Sequence, residues 1–600
     1  MIRILPIVLL ALPASALTPK EEIAAQVAAA RPILDGWQNQ NPERAQRKLH
    51  IVYWSPSDRE PAPRYRERLS TIMEDIRKFY AEEMEKMGFG PRTFALDHAA
   101  DGLINIHVIK GRQPYAHYDV PSGDEIRNEC KDQLAKEGVD LENETIVLFC
   151  NMSNWDPEKR TISQNSPYYA SGTNRRGCAW QVDSPILELS QLANKGDKVQ
   201  DGQYGNISLG RYNSIFIGGI AHELGHALSL PHNQERHDQH ENCGIALMGS
   251  GNREYRAAQR GEGLGSFITL AHGLRLASHP LFCGSVKGMK DQPTAAPSDL
   301  SIKADGKALV VSGKVTSKVP VYGVVAYFDP AGGGDYDAPT ATAVPDKDGR
   351  FTLTGNDLVA GKSGELRLFF LEANGIPSGF LSQTPYAWSY LVKPDGTADV
   401  SAIEAAMTLK PLFDVASQGG AAATAAFGKI DFSKSDPVVK QAATSLVRAA
   451  SKTAPLPVPA DEKGAFCALT TARWTSAKTG YGAASSGMLP EAPWVFAAGG
   501  RLFPDGLYAH APATYTWQLG GTWKTLSGSC GLIDGRDGSV GFRITGDGKE
   551  LFKAAKVKDG KVHDFKIDVT GVKELQLLTD DGGDDVRSDW GAWLAPVLTR

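Results

Sequence analysis

Beyond its first dozen residues the chain has no apolar run long enough to span a bilayer, so no transmembrane anchor is expected. An excess of one charge is missing too. Sixty-four Lys and Arg stand against 69 Asp and Glu, and a net charge of −5 over 600 residues offers no basic footprint for nucleic acid. Cysteine is sparse: seven in all, the first being Cys130, so an N-terminal propeptide that masks a metal with a thiolate is not expected. Seven nonetheless suit an oxidising compartment, and a mixture of bridged and buried free thiols is expected. Hydrophobic content of 42% is that of ordinary globular protein, so cores can form, and the length predicts three to five domains.

The N-terminus reads as a secretory signal over residues 1–16. Arg3 begins it, Ile4–Leu12 is apolar, and Ala14-Ser15-Ala16 is an A-x-A cleavage site. No cysteine follows that site, so lipid anchoring is not expected. The mature chain is expected to be soluble and secreted, either extracellular or periplasmic.

The informative motif is Ala221-His222-Glu223-Leu224-Gly225-His226, continued by Ala227-Leu228-Ser229-Leu230-Pro231-His232. Positions i and i+4 share one face of a helix, so His222 and His226 can hold one ion between them. Glu223 lies about 100° round the axis, placed to reach a water on that ion but not to ligate it. Pro231 has no amide hydrogen and pushes Leu230 out of the α region, so the helix is expected to end near Ser229 and let His232 turn back as a third ligand. Three imidazoles with an open fourth position describe a catalytic Zn²⁺ site, with Glu223 as general base. His237, Asp238 and His240 follow closely and read as loop surface or cleft rim.

This spacing resembles the metzincin pattern H-E-x-x-H-x-x-G-x-x-H with a Met-turn, except that Ser229 stands where the family has glycine. The family glycine takes a positive φ, which serine adopts only at some energetic cost. Met248, in Cys243-Gly-Ile-Ala-Leu-Met-Gly-Ser-Gly251, is the Met-turn candidate, and the layout is similar to that of short bacterial metzincins. The resemblance implies an α/β zincin domain over residues 46–290, with a mixed sheet, two helices above the cleft and an irregular lower half. Strand and helix signals agree with an α/β unit: strands at 48–54, 104–110, 144–150 and 177–183, helices at 63–87, 121–137 and 214–228. Residues 17–45 form an N-terminal helical segment.

Residues 297–396 change character to short apolar strands between Gly, Asp and Pro turns, which predicts an immunoglobulin- or fibronectin-like β-sandwich. It carries no legible site, and a spacer is expected. Residues 397–460 are rich in Ala, Ser and Lys, reading as a helical connector that ends in the stiff Pro455-Leu-Pro-Val-Pro459 linker.

Residues 461–600 are strands with Gly/Asp turns, hence all-β. The ordered set from Leu502 through Pro512, Leu519–Gly528, Gly531–Val540, Gly546–Phe552, Asp568–Leu575 and Asp589–Val597 is similar to the NPCBM family. That resemblance implies a galactose-binding-like jelly roll and a carbohydrate ligand. Trp517, Trp523, Trp590 and Trp593 are candidates for a sugar-stacking platform, with burial as the commoner alternative. Asp580, Asp581, Asp584 and Asp585 read first as a solvated acidic loop, with a structural Ca²⁺ site as the alternative.

Together these features imply a multidomain, secreted zinc endopeptidase, directed to glycoproteins such as mucin-type O-glycoproteins by a carbohydrate-binding module. Two alternatives are a carbohydrate-binding adhesin with an impaired protease domain, and a zinc amidase acting on cell-wall material.

Overall fold

The computed structural model describes residues 18–459, 464–492, 494–536, 538–558 and 560–600. The expected signal segment, residues 1–16, lies outside them.

A five-stranded sheet organises the first half. Its order is Ile106–Lys110, His50–Ser55, Thr145–Cys150, Gly177–Val182 and Tyr169–Gly172, parallel throughout except for the last, antiparallel edge strand. The three central strands are almost wholly buried, as a sheet covered on both faces requires. One face packs on the helices Tyr65–Met87 and Leu209–Ala227, with the N-terminal helix Pro19–Asn39 adding Val27, Ala30 and Leu34 to the same core. The other face carries the helix Gly123–Lys136 through Ile126, Cys130 and Leu134. Thr18 caps the first helix with a reciprocal Glu21 bond. A buried ion pair, Arg68 with Asp183 at 2.9 Å, joined by the Tyr53 hydroxyl at 2.8 Å, ties the second helix to the sheet.

The next segment folds as two antiparallel sheets, of three and five strands. Its larger sheet does not stand apart from the first half. Tyr322, Val325, Tyr327, Phe369 and Leu371 are buried in the same hydrophobic cluster as the motif helix, and the Tyr322 hydroxyl donates to the Leu274 carbonyl. Short helices between Ser401 and Ala450 follow. They bury Leu409, Leu412 and Leu446 against Val495 and Leu502 of the C-terminal region, so the connector is a packed layer and not a free spacer.

The C-terminal region is a sandwich of two antiparallel sheets. Gly591–Thr599 lies between Thr525–Leu532 and Gly506–Tyr508 in one, and Glu574–Asp580 lies between Ala513–Gln518 and Ser539–Gly546 in the other. All seven cysteines are free, which corrects the expectation of partial bridging. Cys130, Cys150 and Cys178 share one apolar cluster, where burial pushes their thiols up and keeps them protonated.

Candidate metal centre

The helix Leu209–Ala227 begins at Ser208, whose hydroxyl accepts from the Arg211 amide, five residues before its apolar periodicity becomes legible. It ends in a two-bond cap. The Leu230 amide donates to the Gly225 carbonyl and the Ser229 amide to the His226 carbonyl, both at 2.9 Å. That Schellman arrangement requires a left-handed residue between helix and exit, and Ser229 takes φ +71° to supply it. Arg275 donates to the Ser229 carbonyl at 2.9 Å and holds the exit in place. The chain then reverses, and His232 returns to His222 and His226.

The ligand atoms of these three histidines lie within 4.8 Å of one another. Each Nδ1 faces an oxygen: His222 donates to the Leu247 carbonyl at 2.8 Å, His226 to the Leu230 carbonyl at 2.7 Å, and His232 to Asp335 Oδ1 at 2.9 Å. These acceptors assign the N–H to Nδ1 and leave every Nε2 with a lone pair pointing inward. His226 Nε2 and His232 Nε2 are 3.0 Å apart, an approach of two lone pairs that a shared cation reconciles. A tetrahedral zinc with bonds of 2.0–2.1 Å sets its nitrogens about 3.3 Å apart, so the donor set fits that ion. Burial, then the neighbouring imidazoles, lowers His226 to about 4 and His222 well below its ordinary value, keeping both neutral and free to ligate.

Glu223 lies beside His222 with no ion-pair partner among the described residues, and burial lifts its carboxyl to about 7. Under the helix, Met248 sits in the turn after Ala246. A Cβ on Gly225 would fall 2.3 Å from its sulfur, so the glycine is what lets the methionine approach. The peptide before Met248 supplies the Leu247 carbonyl that orients His222.

The segment read as a spacer contributes to this site. Asp335 and Tyr336 lie in the loop between the strands Val321–Pro330 and Thr340–Ala343. Asp335 bonds His232, and the Tyr336 ring stacks on His232 with centroids 3.6 Å apart. The Gly332-Gly333-Gly334 run before them was the available sequence signal, but nothing in the sequence says where such a loop points.

His237, Asp238 and His240 lie in the short helix His237–Cys243 and not in a loop, outside the group of three histidines. The His237 amide donates to Asp357, Asp238 pairs with Arg236, and His240 pairs with Glu235. The acidic run 580–585 does not gather as a cation site. Asp580 and Asp581 accept from local amides, Asp584 from Ser539, and Asp585 pairs with Arg587. Among the described residues, the three histidines are the group that converges as metal ligands.

The tryptophans do not form an exposed platform. Trp517, Trp523 and Trp593 are core residues, Trp517 and Trp593 on strands and Trp523 in the loop before Thr525–Leu532, all buried in one cluster of the sandwich, and this corrects their reading as sugar contacts. Trp590 is buried as well but borders a different cluster. Its ring lies 5.2 Å from Tyr508 and 6.1 Å from Tyr481, with the Arg536 guanidinium 3.9 Å above it. His510 lies 5.6 Å from Tyr481, which is 54% exposed. Among the described residues, the Tyr508 hydroxyl and one Asp589 oxygen are buried without a hydrogen-bond partner.

The molecule is thus a multidomain chain of mixed helices and many β-sheets, ending in a β-sandwich. That last part can be assigned: residues 467–599 match the NPCBM/NEW2 domain and are an NPCBM domain. No curated protein matches the chain. Among solved structures, wild-type OgpA from Akkermansia muciniphila is 26% identical, with 58% of this chain and 94% of that one covered and a TM-score of 0.47. Catalytically inactive OgpA in complex with an O-glycopeptide substrate, glycodrosocin, is similar at 26% identity, the same coverage and a TM-score of 0.48. CBM51 from Clostridium perfringens GH95, in complex with methyl-galactose, is 22% identical, covering 22% of this chain and 99% of that one with a TM-score of 0.21.

Proposed function

We propose that this chain is a secreted zinc endopeptidase of metzincin type that acts on glycoproteins, with its NPCBM domain holding a carbohydrate ligand. One observation carries the reading: three Nε2 lone pairs converge, each fixed by an oxygen behind it, with an uncompensated carboxyl beside them. Zinc bound there would acidify a water and polarise the scissile carbonyl.

The rest falls to the chain's own residues. His222, His226 and His232 would hold the ion through their Nε2 atoms. Glu223 takes a proton from the attacking water as its oxygen bonds to the carbonyl carbon. It then gives that proton to the amide nitrogen as the C–N bond breaks. A carboxyl poised near neutrality can do both. The apolar run at residues 4–12 and the site at 14–16 support export. The choice of glycoprotein rests on the pairing of such a site with a carbohydrate-binding domain. The Tyr481, Tyr508, His510 and Trp590 cluster is the proposed sugar contact.

Full-length protein is expected to carry about one zinc per chain by elemental analysis. Glu223→Ala should keep the metal and lose nearly all hydrolysis, on the order of a thousandfold or more, whereas His226→Ala should lose the metal. Digestion of one O-glycopeptide, intact and deglycosylated, followed by mass spectrometry, tests the substrate class. Near wild-type hydrolysis by Glu223→Ala would sink the mechanism, and equal cleavage of both peptides would sink the glycoprotein assignment.

A further inference from the structure

We propose that Asp335 is a positioning residue for His232, so that the metal centre is completed by the β-sandwich and is not built from residues 46–290 alone. This inference rests on the zinc reading above. His222 and His226 are oriented by main-chain carbonyls, Leu247 and Leu230, that belong to the same stretch of chain. His232 is different: its Nδ1 partner is a carboxylate 103 residues further on, in a separate pair of sheets. A charged acceptor fixes the tautomer and the plane of the imidazole more strongly than a carbonyl does.

The carboxylate is itself held. Its second oxygen accepts from Ser382 Oγ and lies 3.5 Å from Arg367, a buried guanidinium that also pairs with Asp329 at 3.2 Å. The loop is tied to the chain just past His232, where the Gln234 amide donates to the Ala338 carbonyl at 2.8 Å. Asp335 takes a left-handed backbone, φ +58°, a region that aspartate enters more readily than most side chains. Tyr336, next in sequence, stacks on the His232 ring. Carboxylate, backbone and ring all converge on one histidine, and that is the arrangement a supported metal ligand needs.

Zinc affinity, measured on full-length protein by competition with a chromophoric chelator, tests this directly. The visible spectrum of the Co²⁺-substituted protein reports ligand geometry alongside it. Asp335→Ala is expected to weaken zinc about 10- to 100-fold and to shift the Co²⁺ bands. Asp335→Asn, which keeps an acceptor without the charge, should fall between the two, and circular dichroism should match wild type for both. If Asp335→Ala misfolds, Asp335→Asn decides. Wild-type affinity, within about twofold, in a folded variant would overturn the role of Asp335 while leaving the zinc reading intact. Failure of the wild-type protein itself to bind zinc would overturn the zinc reading instead.

Discussion

At the scale of single residues, the departure at Ser229 is conformational and not chemical. The cap needs a left-handed residue, serine occupies it at φ +71°, and the two capping bonds form regardless. A Cβ in that region costs about 1–2 kcal/mol, part of which glycine would give back as entropy of the unfolded chain. Ser229→Gly should therefore raise stability by about 0.5–1 kcal/mol in chemical denaturation and leave zinc affinity unchanged. A variant that is less stable than wild type would mean the serine hydroxyl has a structural role of its own. The motif histidines, by contrast, were legible because i,i+4 spacing and Pro231 are local rules. Asp335 was not legible, since a contact 103 residues away leaves no periodic trace.

Among the elements, the four strands and three helices expected in the first half follow their sequence signals to within about five residues, but the short strands Ser153–Asp156, Thr161–Gln164, Tyr169–Gly172, Lys198–Asp201 and Gly205–Ser208 and the helix Leu270–Ser278 were not legible. The Leu209 start of the motif helix was hidden because its first turn is fixed by the Ser208 cap and not by apolar spacing. The tryptophans of the C-terminal region show the opposite limit. Alternation in a strand says that Trp517 and Trp593 share a face with other apolar residues, but not which face a second sheet covers. The element that positions the motif helix is the sheet with its buried Arg68–Asp183 pair. Both side chains are fully enclosed, so Asp183→Ala strands a cation and releases the Tyr53 hydroxyl. A loss of about 3–5 kcal/mol is expected, read from urea unfolding. A loss under 1 kcal/mol would mean the guanidinium finds water or another anion. Met248→Ala opens a cavity directly under Gly225 and should cost about 2–5 kcal/mol, with zinc affinity falling as the Leu247 carbonyl shifts.

Across the whole molecule, the regions are less separable than their compositions imply. The sandwich shares a core with the motif helix, and the short helices share one with Val495 and Leu502. Removing residues 461–600 would strip an apolar face, so truncation is a poor test of what the NPCBM domain contributes. A point change at its exposed edge is better. Tyr481 is half exposed and borders His510 and Trp590, so Tyr481→Ala should fold normally. One aromatic stacking contact is worth about 1 kcal/mol, or about fivefold in affinity. Because a tethered sugar contact makes the second encounter intramolecular, that loss should appear at the protease as a higher KM on dense glycoprotein. Nothing in the cluster reaches the histidines, so kcat at saturation and cleavage of a small unglycosylated or minimally glycosylated peptide should match wild type. The difference should also vanish when free glycan competes. Unchanged KM on every glycoprotein, together with unchanged glycan-array binding by the full-length variant, would remove this cluster as the sugar contact. A drop in kcat on the small peptide would instead show that the C-terminal domain communicates with the metal centre through the sandwich, whose Ser363 hydroxyl donates to the Gly560 carbonyl at 3.2 Å.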